Sequence, residues 1–329
     1  MTAPAQAGRR IVVTGPALPE SAVRTLHAAG IEVTGAPGDL DEEGVVKALD
    51  GAWGYLLGGS ERLSARTWDR LPELAVACFL GTGYSSFMEL PTGPSRIRFA
   101  NTPHANAVAV AEMTVAHILD LVRSVTRTAT EVAAGRWSER TTPSLAGARL
   151  GVAGMGHVGR EVARMAHAAF GTEILYWNRS PRPELDALPY TTVPSLTELF
   201  AAADVVSVSF THEPGGNDGI IGTEHLRALG PAGYLVNVSR AELVDPSALR
   251  SALAEGTIAG ASLDGYYSEP TPPPTADPHG LLSFAPTRLL ITPHSAFNSA
   301  QALTRVAEMA VANLLAVHHD EEPPYGIHA

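Results

Sequence analysis

Short apolar runs and helically spaced apolar residues alternate over the first hundred positions. Ile11 to Thr14, Ile31 to Thr34, Tyr55 to Leu57, Leu74 to Leu80 and Ile97 to Ala100 have the length of buried strands, while Glu20 to Ala29, Glu42 to Leu49 and Ala65 to Leu71 carry a helical period. Strands separated by helices imply a parallel sheet covered on both faces, so this stretch reads as one α/β domain. Ala105 to Arg136 follows, apolar at Val108, Ala111, Val115, Ile118 and Leu121. That spacing predicts a helix long enough to bridge two domains or bury a subunit interface.

A second alternation begins at Leu150. The run Leu150 to Ala153 leads through a glycine turn into a helix, Arg160 to Ala169, and Glu173 to Trp177, Val205 to Phe210, Gly233 to Val238, Ile258 to Leu263 and Leu289 to Thr292 supply further strands. Pro270 to Pro278 is a proline-rich connector with little freedom to form helix or central strand. Ala300 to Val317 is an amphipathic helix expected to return to the first domain, which makes the second domain an insertion. The expected fold class is α/β, with two doubly wound parallel-sheet domains.

The glycine turn carries the first chemistry. In Gly154-Met155-Gly156-His157-Val158-Gly159, the first glycine turns the chain tightly, the second lets backbone approach a pyrophosphate, and the third lets the helix pack close on its strand. The helix N-terminus then presents free N–H groups to phosphate. The next strand ends in Asn178-Arg179-Ser180, where an NAD site usually places an acidic residue for the ribose hydroxyls. A neutral Asn178 beside Arg179 offers a donor to a 2′-phosphate, so NADP(H) is favoured and NAD(H) stays open.

Composition narrows the classes. The chain has 329 residues, 45% hydrophobic and 17% charged, with a net charge of -11, which disfavours a nucleic-acid surface. Cys78 is the single cysteine, so an intrachain disulfide and a cysteine zinc cluster are excluded, and a reduced compartment is expected. Met1 to Arg10 lacks the apolar core of a signal peptide and no stretch approaches a membrane span, so the expectation is a soluble cytoplasmic protein. Lys47 is the only lysine, which leaves Schiff-base and P-loop chemistry without a candidate.

Three polar side chains follow apolar strands: Arg240 after Tyr234 to Ser239, Glu269 after Ala261 to Ser268, and His294 after Leu290 to Pro293. A guanidinium can hold a carboxylate in two parallel hydrogen bonds, an imidazole can move a proton near neutral pH, and a carboxylate bonded to that imidazole fixes its tautomer. Jointly they would serve hydride transfer to a 2-oxo acid. Gly81-Thr82-Gly83, after an earlier strand, frees backbone N–H groups for an anion nest. His104, His157, His212, His318 and His319 show no comparable partners in the pattern, and no two histidines have convincing zinc-ligand spacing.

Over nearly its whole length the sequence resembles the D-isomer-specific 2-hydroxyacid dehydrogenases. The matching pieces are Gly81-Thr82-Gly83-Tyr84, Asn101-Thr102-Pro103, Val110-Ala111-Glu112, the glycine turn, Val236 to Arg240, Leu243-Val244-Asp245, Leu263-Asp264 with Glu269-Pro270, and Thr292-Pro293-His294. The resemblance implies a flavodoxin-like substrate domain at 1–103 and 293–329, an inserted Rossmann NAD(P)-binding domain at 104–292, and a homodimer made largely by the latter. It implies catalytic roles for Arg240, Glu269 and His294, cofactor contacts including Val238, an Asp264 that holds the nicotinamide carboxamide, and a Gly81 to Gly83 backbone that grips the substrate carboxylate.

Departures from the family pattern refine the reading. Ser85-Ser86 stands where Asp-Asn is frequent, Ala241 where glycine is usual, and Asp264-Gly265-Tyr266 where many members have Asp-Val-Phe. Asn178-Arg179-Ser180 is similar to the run in glyoxylate and hydroxypyruvate reductases, which favour NADPH. Glu269 disfavours the formate-oxidising branch, which has Gln there. The expected function is reduction of a small 2-oxo acid to its D-2-hydroxy acid, or the reverse. The alternatives are a catalytically weak NAD(P)-sensing binding protein of the same fold and a Rossmann methyltransferase.

Overall fold

The computed structural model describes residues 8–328 except 86, 138, 268 and 270–273. Ser86, Pro270 with the first part of the proline-rich connector, and Met1 to Ala7 therefore lie outside the described residues. In chain order the elements begin β1 (Arg9–Thr14), α1 (Glu20–Ala28), β2 (Ile31–Ala36), α2 (Glu42–Ala48), β3 (Gly54–Leu57), β4 (Val76–Phe79) and β5 (Arg98–Ala100). They continue through α3 (Ala107–Arg123), α4 (Val125–Ala133), β6 (Arg149–Ala153), α5 (His157–Phe170), β7 (Glu173–Trp177), β8 (Thr191–Thr192), α6 (Leu196–Ala202) and β9 (Val205–Val208). The remainder is α7 (Thr223–Leu229), β10 (Tyr234–Asn237), α8 (Pro246–Glu255), β11 (Gly260–Asp264), β12 (Leu289–Thr292), α9 (Ala300–His318) and β13 (Gly326–Ile327).

The chain divides into two units, Met1–Asn106 with Ser299–Ala329, and Ala107–Asn298. The first holds a sheet ordered β13-β5-β4-β3-β1-β2, parallel except for the antiparallel β13–β5 pair. Its β2-β1-β3-β4-β5 run is the flavodoxin-like order. β3 and β4 are buried at every position, as expected of strands covered on both faces.

The second unit holds a parallel sheet ordered β12-β11-β10-β9-β6-β7-β8, the dinucleotide-binding order with one more strand beyond. Leu199, Phe200, Leu226, Leu249 and Leu253 fill one face, from α6, α7 and α8, while Ile118, Val122, Val162 and Ala166 from α3 and α5 fill the other. Burying each of the leucine, isoleucine, valine and phenylalanine side chains among these contributes about 1.5–3 kcal/mol relative to exposure. The β6–β9 pairing sits where strand order reverses, so the turn after β6 opens at the switch point.

Two helix expectations change in kind, beyond small shifts of helix ends elsewhere. The stretch Ala105 to Arg136 is broken at Ser124, whose φ is +53°. Asp120 causes the break: its carboxylate accepts from Thr126 N at 2.7 Å and Thr126 Oγ1 at 2.6 Å, capping a new helix and competing with continuation of the first. Ala65–Arg70 is a 3₁₀ helix, shorter by one residue than expected. Among the described residues no helix is long and apolar enough to cross a membrane.

Candidate active site

Gly154 has φ +99°, and a Cβ there would lie 2.8 Å from Phe210 N. One on Gly159 would lie 2.1 Å from the Gly154 carbonyl oxygen, so α5 can approach β6 only because no side chain intervenes. Gly156 is different: a Cβ would meet nothing within 4 Å, which leaves the backbone before α5 open to approach. His157 opens the helix and Val158 packs partly buried against the core. Val238, 7% exposed, lies within that core.

A cleft of about 350 Å³ borders this turn, lined among others by Gly156, Asn178, Arg179, Ser180, Ser209 and Glu213. Asn178 Oδ1 accepts from Met155 N at 2.7 Å, tying the end of β7 to the glycine turn. Its Nδ2 and the Ser209 hydroxyl are buried with no partner among the described residues. An orphaned buried polar group costs about 1–3 kcal/mol, which a ligand rich in hydroxyl and phosphate oxygens offsets. The open Gly156 backbone and these two orphans fit a dinucleotide. Arg179, 73% exposed, stands at the β7 end and is paired with Glu213 Oε1 at 2.6 Å.

The structure brings Arg240, Glu269 and His294 together. His294 Nδ1 lies 3.0 Å from Glu269 Oε2 and 3.2 Å from Oε1, and its Nε2 lies 3.3 Å from Arg240 Nη1. Arginine has no acceptor, so Nε2 accepts from it and Nδ1–H is donated to the carboxylate. Arg240 is held by its own neighbours, since Asn237 Nδ2 donates to its carbonyl at 2.7 Å and its Nη1 donates to Ser239 O at 2.8 Å. The hydrogen bond from His294 holds the Glu269 carboxyl below the usual carboxylate range against the opposing effect of burial, and the Tyr266 N–H and Arg240 add to it.

His294 has φ +52°, a conformation that costs a histidine energy unless its surroundings impose it. Asp264 imposes it. Its Oδ1 accepts from Thr292 Oγ1 at 2.6 Å and Ser295 N at 2.9 Å, and its Oδ2 from Ala296 N at 2.8 Å. This buried carboxylate thus commits three of roughly four acceptor positions to the loop that carries His294.

The Gly81-Thr82-Gly83 turn belongs to the other unit. Thr82 O accepts from Asn101 Nδ2 at 2.9 Å and its Oγ1 from His104 N at 3.0 Å, while a Cβ on Gly83 would meet nothing within 4 Å. The sequence pattern leaves His212 without a partner, but the structure pairs it with Asp218. It also passes over His117, 3% exposed in α3, and Glu213. A histidine inside an otherwise apolar helical period was the available signal for the first; the second carries none.

An imidazole braced between a carboxylate and a guanidinium, in a unit with a dinucleotide turn, defines a nicotinamide-dependent dehydrogenase. The sequence model of the D-isomer specific 2-hydroxyacid dehydrogenase NAD-binding domain matches residues 115–296, and the chain belongs to this family. It is 32% identical over 275 residues to a glyoxylate reductase of Thermofilum pendens, covering 80% of this chain and 78% of that one. To a 2-ketogluconate reductase of Gluconobacter oxydans it is 33% identical over 271 residues, covering 82% and 84%. Among solved structures it superposes, with a TM-score of 0.78 and 29% identity, on an NADPH-dependent glyoxylate/hydroxypyruvate reductase of Sinorhizobium meliloti in complex with NADP and malonate, covering 98% of this chain and 97% of that one.

Proposed function

We propose that the protein reduces a small 2-oxo acid with NADPH, with His294 as the general acid. The observation that carries this reading is the position of His294 between Glu269 and Arg240. The reduced nicotinamide supplies the hydride when bound. Arg240 binds the substrate carboxylate through paired N–H groups, which draws its Nη1 off His294 Nε2. The protonated imidazole then donates from Nε2 to the carbonyl oxygen as negative charge develops there, and Glu269 holds the Nδ1 proton and stabilises the cation. Oxidation of the D-hydroxy acid runs the same steps in reverse.

The names of the relatives set the substrates to try: glyoxylate, hydroxypyruvate and 2-ketogluconate. Purified protein is expected to oxidise NADPH with at least one of these, followed at the nicotinamide absorbance. No turnover with any small 2-oxo acid and either cofactor would leave a binding protein of the same fold as the better reading.

Preference for NADPH is supported by neutral Asn178 and by the exposed Arg179, and the Sinorhizobium relative is named for that cofactor. Arg179, released from Glu213, would hold a 2′-phosphate there. Exchanging Asn178→Asp together with Arg179→Ala removes the cation and adds a repelling carboxylate, while Oδ1 can still accept from Met155 N. The ratio of NADPH to NADH efficiency is expected to fall on the order of 10- to 100-fold, the loss of one or two charge-assisted hydrogen bonds. An unchanged ratio, with both cofactors measured by steady-state kinetics, removes this assignment.

A further inference from the structure

The loop that presents His294 is tied to a buried histidine on a distant helix. His117 Nδ1 lies 2.7 Å from Ser262 Oγ on β11, and its Nε2 lies 3.4 Å from Thr292 Oγ1 at the end of β12. Thr292 Oγ1 in turn donates to Asp264 Oδ1 at 2.6 Å, and Asp264 holds the backbone N–H groups of Ser295 and Ala296, the two residues after His294. His117, Ser262 and Asp264 are each at most 3% exposed.

Counting protons fixes the direction of this chain. Asp264, as a carboxylate, only accepts, so the single hydroxyl proton of Thr292 is committed to it. The Thr292 oxygen can then bond His117 only as an acceptor, which requires Nε2–H. In the neutral imidazole that leaves Nδ1 unprotonated, accepting from the Ser262 hydroxyl. Burial favours the neutral ring and pushes the His117 pKa down, while the carboxylates of Asp264 and Asp120 oppose it. Ser262 O–H, His117 Nε2–H and Thr292 O–H therefore all point toward Asp264.

We propose that His117 is a positioning residue for His294, acting through the Thr292 hydroxyl and the Asp264 carboxylate. The Nε2–H bond orients the Thr292 hydroxyl, that hydroxyl orients the carboxylate, and the carboxylate holds the backbone on which His294 keeps its left-handed conformation. The inference rests on the reading of His294 as the acid. It adds a residue from α3, outside the strand-end loops, to the support of that acid.

The test compares His117→Leu combined with Ser262→Ala, which leaves no orphaned Ser262 hydroxyl, with His117→Gln, which keeps an N–H close to the Nε2 position. Turnover is measured with NADPH and the best 2-oxo acid, alongside thermal unfolding. Displacement of a catalytic group costs up to about 100-fold, so the double variant is expected to lose at least about tenfold in kcat while substrate KM moves little, and His117→Gln is expected to recover most of the loss. A purely structural histidine predicts a lower unfolding temperature with wild-type kcat in the folded protein, or a glutamine variant no better than the double one, and either result overturns the proposal. Should the double variant not fold, Thr292→Val against Thr292→Ser asks the same question, because only serine keeps the hydroxyl. His294→Ala is run in parallel: full activity there removes the acid assignment, whereas an inactive His294→Ala beside a fully active His117 double variant removes only this inference.

Discussion

Replacing His294 with alanine is expected to lower kcat for 2-oxo acid reduction by about 10²- to 10⁴-fold, the usual contribution of a positioned general acid, with NADPH binding little changed. The expectation follows from the two faces of the imidazole. Nδ1 is saturated by Glu269, so Nε2 is the atom left to serve the substrate, and in this structure it accepts from Arg240. A protonated Nε2 and an Arg240 N–H cannot share that contact, so proton loading goes with the turn of Arg240 toward a carboxylate. Glu269→Gln keeps a hydrogen-bond acceptor but removes the charge that favours the imidazolium. The ring then gives up its proton without a carboxylate charge beside it, so kcat for reduction is expected to fall on the order of tenfold. Steady-state kinetics across pH check both variants, and wild-type turnover by His294→Ala would remove the mechanism.

The Glu269 shift also has a consequence for stability. Its folded-state carboxyl lies below its usual value of 4.5, lowered first by the hydrogen bond from His294. A depressed carboxyl binds fewer protons folded than unfolded, so its contribution is present above the unfolded value and is lost as pH falls through the folded one. With the side chain 45% exposed, solvent screening keeps that contribution small, and its bearing is on the site more than on the fold.

What the sequence made legible is what local patterns encode. Mostly apolar strands and the glycine spacing sufficed for the longer strands of both sheets, because a strand covered on both faces is largely apolar and a turn crowded by backbone has to be glycine. Arg240, Glu269 and His294 were visible because each follows such a strand, where a parallel sheet gathers its loops. The sequence reading left α6 and α8 unassigned, although Ser195 and Asp245, which accept from the N–H three residues on, carry a capping signal for them that is independent of the strand pattern. The break at Ser124 was hidden because the apolar period runs across it; only the geometry of Asp120 with Thr126 shows the chain restarting. Two-residue strands such as β8 and β13 carry too few positions for any period. His117 lay beyond reach for a different reason, since its partners Ser262 and Thr292 are far away in sequence and meaningful only once β11 and β12 lie side by side.

Arg240→Lys is expected to lower kcat/KM for the 2-oxo acid by about 100-fold, with Arg240→Ala lower still, because a charge-assisted bond is worth about 1.5–3 kcal/mol and lysine cannot form two parallel ones. The charge survives in lysine, so what the comparison isolates is the fork. The backbone that places Arg240 is held mainly by Asn237, whose Nδ2 donates to the Arg240 carbonyl and whose Oδ1 accepts from Ser239 N at 3.0 Å; only the Nη1 bond to Ser239 O depends on the Arg240 side chain. Truncating Arg240 therefore leaves β10 and the turn after it intact, and NADPH affinity, measured by nicotinamide fluorescence, is expected to stay near wild type. On the proposed mechanism the loss divides between KM and kcat, since the guanidinium would hold the carboxylate and also contacts His294 Nε2. Wild-type KM and kcat in Arg240→Ala would show that the substrate carboxylate is held elsewhere, and the contact with His294 would then be a feature of the resting enzyme alone.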